Sequence, residues 1–243
     1  MMRYITPAYT IGNRFKNKDH PKWDALVIIF RDRASPVIRE ALNTQDFGSP
    51  VFSGIDIKHT SYLDINGKKI GVIDHCIWGG PQASILVEEA AEIGISKIIG
   101  IGACGSLSKE IHKGSLVVAK NSFNTDGTSK IYQTINKSEP SSRLLKLTES
   151  NNHFSPKLAQ AVCMDALYRE TRELIDSFIK IGGEIINMES SAFYAASRLC
   201  EVESLWIGCV SDSLVGDDWQ DWSNTDEMSY QSGLFCKEIL QQL

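Results

Sequence analysis

Apolar and polar positions along this chain follow two rhythms. Short β-branched runs suit buried strands: "DALVIIF" (Asp24 to Phe30), "SKIIGIG" (Ser96 to Gly102), "GSLVVAK" (Gly114 to Lys120) and "SLWIGCVSD" (Ser204 to Asp212). "YLDINGKKIGVIDHC" (Tyr62 to Cys76) reads as a hairpin whose turn, Asn66-Gly67, tolerates positive φ. Other stretches carry apolar residues at helical spacing. Pro81 to Gly94 opens on proline, keeps acidic residues off its apolar face and stops at a glycine. "RETRELIDSFIKIGG" places Leu174, Ile175, Phe178 and Ile179 on one face and stops at two glycines. "EIINME" is a short strand feeding the helix "SSAFYAASRLCE", and "NTDEMSYQSGLFCKEILQQL" closes the chain as a helix. The polar stretch from Asn121 to Pro140 reads as an exposed excursion. Strands alternating with helices, without an internal repeat, predict one three-layer α/β/α domain over residues 1–243 around a central mixed sheet.

The 243 residues are enough to bury a substantial core, and 42% hydrophobic with 23% charged residues excludes a disordered or fibrous chain. A net charge of −5 leaves no basic footprint, so nucleic acid is not an expected partner. The six cysteines are scattered without a CxxC pair, mostly in apolar runs, as reduced core thiols of a cytoplasmic protein would be. No apolar run approaches membrane-spanning length and "MMRYITPAYT" has no apolar signal core, so no membrane association is expected. The five histidines show no HxH or HExxH spacing, so no metal is expected, and no other cofactor is implied.

Three stretches carry candidate chemistry. "IGIGACGSL" (Ile99 to Leu107) reads as a strand entering a small-residue loop, where Gly102, Ala103 and Gly105 let a ligand approach the backbone. It is neither GxGxxG nor a Walker loop, and tight packing under a helix explains it equally well. Cys104 within it reads as packing rather than as a nucleophile. In "INMESSAFYAAS", Glu189 stands at a strand-to-helix junction; there it either accepts hydrogen bonds from a diol or simply complements the helix dipole. In "LWIGCVSDSLVGDDW" a buried run leads into Ser211 and Asp212, an acid placed to donate a proton, or else a turn or N-cap aspartate.

Taken in order, "GIGACGSL", "NMESSA" and "VSD" resemble the nucleoside phosphorylase-I family, which spans purine nucleoside phosphorylases, uridine phosphorylases and adenosylhomocysteine-type nucleosidases; the hexameric bacterial purine phosphorylases align best. The resemblance covers nearly the whole chain and implies cleavage of an N-glycosidic bond. By it, Glu189 binds the ribose hydroxyls and Met188 packs against the sugar. Asp212 protonates the departing purine with Ser211 orienting it. Leu167 and Tyr168 lie against the base, where Ala103, Cys104 and Gly105 also line the pocket. The resemblance also implies a homo-oligomer, a dimer or hexamer, in which His59 or His20 is a candidate for a group lent to a neighbour's site.

The nucleophile side departs from the family. In "IIFRDRASP" the expected phosphate-binding glycine falls on Asp32 and the expected arginine on Pro36. The strand arginine falls on Gly100, the loop hydroxyl on Ala103, and the lent arginine near Asp56, with Lys58 and His59 close by. Each lost charge-assisted hydrogen bond weakens phosphate binding by about 1.5–3 kcal/mol. Water is therefore the expected nucleophile, with Asp32 as its base and Gly102 and Trp78 bordering it, Trp78 narrowing the phosphate side. The usual arginine downstream of the acid is absent, its place falling near Thr225, and Trp219 and Trp222 read as a packing flap. Two alternatives stand beside hydrolysis: phosphorolysis with phosphate held by Arg31 or Arg33, and an inactive nucleoside-binding or storage protein.

Overall fold

The computed structural model describes residues 3–15, 19–76, 79–132, 135–150, 153–216, 219–221 and 226–243. The first half contains α1 (Pro7–Arg14), β1 (Ala25–Ile29), α2 (Ser35–Leu42), β2 (Gln45–Asp46), β3 (Thr60–Ile65), β4 (Lys68–Ile73), α3 (Gly80–Glu92) and β5 (Lys97–Ser106). The second half adds β6 (Leu116–Phe123), α4 (Gly127–Tyr132), β7 (Lys137–Ser138), α5 (Ser142–Glu149), β8 (Lys157–Cys163), α6 (Arg172–Lys180), β9 (Ile185–Asn187), α7 (Ser190–Leu199), β10 (Glu203–Ser213) and α8 (Asp226–Gln241).

All five residues of β1 are buried, as a β-branched run between two parallel neighbours should be, and β1 pairs in parallel with β4 and β5. The β3–β4 hairpin turns at Asn66 and Gly67, both at positive φ as anticipated. Beyond β5 the sheet closes. β5 pairs in parallel with β10 and antiparallel with β9, while β10–β6, β6–β8 and β8–β9 complete a ring. The mixed sheet thus opens on one flank and curls into a barrel on the other.

Helices cover both faces. On one, Leu86 and Val87 of α3 and Phe193 and Tyr194 of α7 pack with Leu26, Ile28 and Trp206. On the other, Ile38 and Leu42 of α2, Leu144 of α5 and Phe235 and Ile239 of α8 pack with Val27, Ile29 and Ile101. Each aliphatic side chain buried this way contributes about 1.5–3 kcal/mol. This is one α/β fold with a central mixed sheet.

Three local expectations need correction. The stretch from Gly102 to Gly105 is not a loop: β5 runs on to Ser106 because β9 and β10 supply partners for its backbone. The polar stretch from Asn121 is not an exposed excursion: β6 continues to Phe123, α4 follows, and Ser122, Asn124, Asp126, Ser129 and Ser138 are buried. Their polar groups satisfy one another, Ser138 Oγ donating to Asn124 Oδ1 at 2.6 Å and Ser190 Oγ to Ser122 Oγ at 2.8 Å, which makes a polar sequence compatible with the interior. In α6 only Ile175 and Phe178 of the anticipated face are buried, and Ile179 is exposed.

Candidate active site

The site forms where β5, β9 and β10 end together. Asn187, the last residue of β9, accepts the backbone N–H groups of Glu189 (3.0 Å) and Ser190 (2.9 Å) on its Oδ1. This side-chain turn ends the strand, starts α7 and delivers Glu189 at the junction. Glu189 is buried, and its Oε1 accepts from the backbone N–H of Gly79 at 3.1 Å. Gly79 holds φ +92, a conformation open to glycine that aims its N–H at the carboxylate. Burial pushes the Glu189 carboxyl up to about 7 against the lowering pull of backbone hydrogen bonds from Gly79 and Met188. Met188 is half-buried beside it.

Asp212 reaches the same place through a β-bulge. The β5–β10 register runs to Val210 opposite Cys104 and resumes with Asp212 opposite Gly105, which leaves Ser211 as the extra residue. The bulge turns Ser211 Oγ toward the Cys104 carbonyl (3.3 Å) and the Asp212 Oδ1 (2.8 Å), so the serine orients the acid. Asp212 Oδ2 accepts from the indole N–H of Trp219 at 3.0 Å. A Cβ at Gly105 would lie 2.6 Å from Leu214 and 3.3 Å from Asp212 Oδ2, so only glycine lets the acid lie flat against β5.

Cys104 is the buried neighbour of Gly105 in β5. Burial first, then Cys209, Asp212 and Glu189, push its thiol well above the usual range, with Arg31 pulling the other way. The thiol is a core group that donates to the Cys209 carbonyl at 3.6 Å. Arg31 reaches this cluster and donates to Cys209 Sγ at 3.4 Å. Ala103, in the strand between them, is partly accessible.

Gly100 and Gly102 do a different job from the one their sequence suggests. A Cβ at Gly100 would lie 2.9 Å from the Phe30 ring, and one at Gly102 2.5 Å from the Trp206 ring. The missing side chains make room for two aromatics, not for a ligand.

Asp32 and Arg33 lie elsewhere, exposed at the rim of a cavity of about 790 Å³ bounded by α2, the Ile57–His59 turn and the end of β4. There His75 Nδ1 meets Asp32 Oδ1 at 3.0 Å, and His59 Nδ1 meets the buried Asp74 Oδ1 at 2.5 Å. Arg39 donates to Asp74 Oδ2 at 3.3 Å, and the two imidazoles stack with centroids 4.6 Å apart. Cys76, two residues past Asp74, is buried, and burial, then the charges of Asp74 and Glu189, raise its thiol. Trp78, Trp222 and Thr225 lie outside the described residues.

Of the base-contacting pair, Leu167 is half-buried, but Tyr168 is 92% exposed on the turn Leu167–Arg169 and packs against no wall of this chain's site among the described residues. Two residues on, Glu170 is the acid that sequence reasoning missed. Burial, then the charge of Asp212, push its carboxyl up to about 7. Trp219 and His75 were also missed as polar partners of Asp212 and Asp32. No spacing rule signals any of the three, because each pairing spans a fold-dependent distance. Among the described residues no group of three or more His, Cys, Asp or Glu is placed to hold a metal ion, and no helix is long and apolar enough to cross a membrane.

Known proteins resemble this chain in sequence and in fold. An uncharacterized protein of Acanthamoeba polyphaga mimivirus is 30% identical over 233 residues, 93% of this chain and 90% of its own length. A guanosine phosphorylase of Halorubrum lacusprofundi is 27% identical over 158 residues, 62% of this chain and 64% of that one, so the match spans under two thirds of that enzyme. In fold, a futalosine hydrolase mutant of Helicobacter pylori superimposes with a TM-score of 0.77 at 16% identity, over 91% of this chain and all of that one. The family model described as the phosphorylase superfamily matches residues 25–242, nearly the whole chain, and the chain therefore belongs to that superfamily.

Proposed function

We propose that this protein cleaves the N-glycosidic bond of a purine nucleoside with water as the nucleophile. The observation that carries the reading is the sheet register at the end of β5, where Gly105 pairs with Asp212 of β10 on one side and with Ile186 of β9, the strand that leads into Glu189, on the other. Cleavage develops positive charge on the sugar and negative charge on the leaving base. Glu189 accepts hydrogen bonds from the two ribose hydroxyls and Met188 packs on the sugar face. Asp212, held by Ser211, gives a proton to the base as the C–N bond breaks. The water oxygen bonds to the sugar carbon and its proton passes to solvent; Asp32, the base that the sequence offers, pairs with His75 at 3.0 Å at the outer cavity and not in the acid cluster. Leu167, Ala103 and Gly105 border the base.

Ala103 supports water over phosphate, since it offers no hydroxyl, and so does the placement of Arg33 at the outer cavity beside Asp32. A relative that acts as a guanosine phosphorylase and a structural neighbour that acts as a futalosine hydrolase bracket the two chemistries. One observation favours phosphorolysis as a second reading: the Arg31 guanidinium reaches the acid cluster and is a ready anion partner.

The discriminating experiment incubates the protein with guanosine and inosine, with and without inorganic phosphate, and quantifies free base and sugar product. Free ribose released at equal rates in both arms is the expected result. Release that needs phosphate, with ribose phosphate as product, overturns hydrolysis. E189A and D212A are expected to lose at least a hundredfold in turnover. We further propose a homo-oligomer, in keeping with the exposed Tyr4, Ile5, Tyr9 and Ile131; a monomeric mass by light scattering would refute it.

A further inference from the structure

Asp212 is fixed by two side-chain donors from opposite sides, Ser211 on Oδ1 at 2.8 Å and Trp219 on Oδ2 at 3.0 Å. Trp219 owes its position to the backbone bridge beside it. Gln220 N donates to Ser213 O at 2.9 Å, and Ser213 N to Gln220 O at 3.2 Å, which folds the chain back over the end of β10. The indole is 52% exposed, so core packing does not account for a residue of this size here. What it does offer is an N–H on the acid and a flat face beside it. A carboxylate has about four lone-pair directions. With two taken by Ser211 and Trp219, the remaining ones have a fixed aim.

We propose that Trp219 is a positioning residue for Asp212: its indole N–H locks the carboxyl plane against Ser211 so that the proton leaves toward the base at a set angle. The inference rests on the reading of Asp212 as proton donor to the leaving base. Asp212 takes a proton from solvent, the C–N electron pair goes to the base, and the proton follows onto a ring nitrogen. The base thus departs neutral and Asp212 returns ionised to the same two donors. A misaligned carboxyl still binds substrate but delivers the proton poorly, so the loss falls on turnover rather than on binding.

The test compares W219F, which keeps a ring but no N–H, W219L, and D212N on guanosine and 7-methylguanosine. The methylated base already carries the positive charge that protonation supplies, so its departure does not need the acid. W219F is expected to lose about tenfold in kcat on guanosine with KM within about twofold, and little on 7-methylguanosine. W219L follows the same split if W219F is poorly folded by thermal unfolding. Equal losses on both nucleosides, or an unchanged kcat on guanosine, overturn the role of Trp219. Full activity of D212N on guanosine instead overturns the reading of Asp212 itself, and the two failures are distinguishable in one set of assays.

Discussion

Glu189 shows how burial both equips and burdens the side chain proposed to hold the sugar. Its carboxyl is raised to about 7 by burial, so it binds a proton more tightly in the folded chain than in the unfolded one. Its contribution to stability is therefore complete below the unfolded value of 4.5 and is lost as pH rises through about 7. Glu189→Gln keeps the acceptor for Gly79 and removes this dependence. We expect the variant to melt above the wild type at pH 8 and near it at pH 4, while nucleoside cleavage falls sharply. The margin at pH 8 is about 1.4 kcal/mol for each tenfold difference in proton affinity between the folded and unfolded chain. Thermal unfolding across pH decides this; a wild type that melts above E189Q at pH 8 would contradict it. In the free enzyme the same titration predicts a kcat/KM that climbs through about pH 7, as the ionised form becomes available to the ribose hydroxyls.

At the scale of elements, the β5–β10 pair is the part whose geometry matters most. Its long parallel register is interrupted once, at Ser211, and that single extra residue turns Asp212 onto Gly105. Further down the pair Trp206 fills the space left by Gly100, Gly102 and Gly208. Gly102→Ala would press a methyl within 2.5 Å of the Trp206 ring, and we expect a loss of about 1–3 kcal/mol in denaturant unfolding. Unchanged stability in G102A would show that the ring can move aside, and the packing account of this glycine would be wrong.

At the scale of the whole molecule, the open flank of the sheet is fastened by polar contacts around Asp74. This buried carboxylate collects Arg39 from α2 and His59 from the turn before β3. Asp74→Ala takes the carboxylate from His59 and the buried one of Arg39's acceptors, leaving Arg39 its bonds to Asp46 and the Lys58 carbonyl. A cost of about 1–3 kcal/mol is expected, seen as a lower denaturation midpoint. Much of this architecture was legible in the chain. The β-branched runs, the Asn66-Gly67 turn and the glycine-stopped helices specify local structure because their preferences act within a few residues. Glu189 and Asp212 were legible too, since each sits at the end of a recognisable strand. The buried polar stretch after Asn121 was not, because its hydrogen bonds come from residues distant in sequence. Trp219 on Asp212, Glu170 beside it and His75 on Asp32 were likewise settled only by tertiary structure. Strand identity follows from local apolar pattern, whereas the partner of a polar side chain depends on how the closed sheet and its bulge bring separate strand ends together.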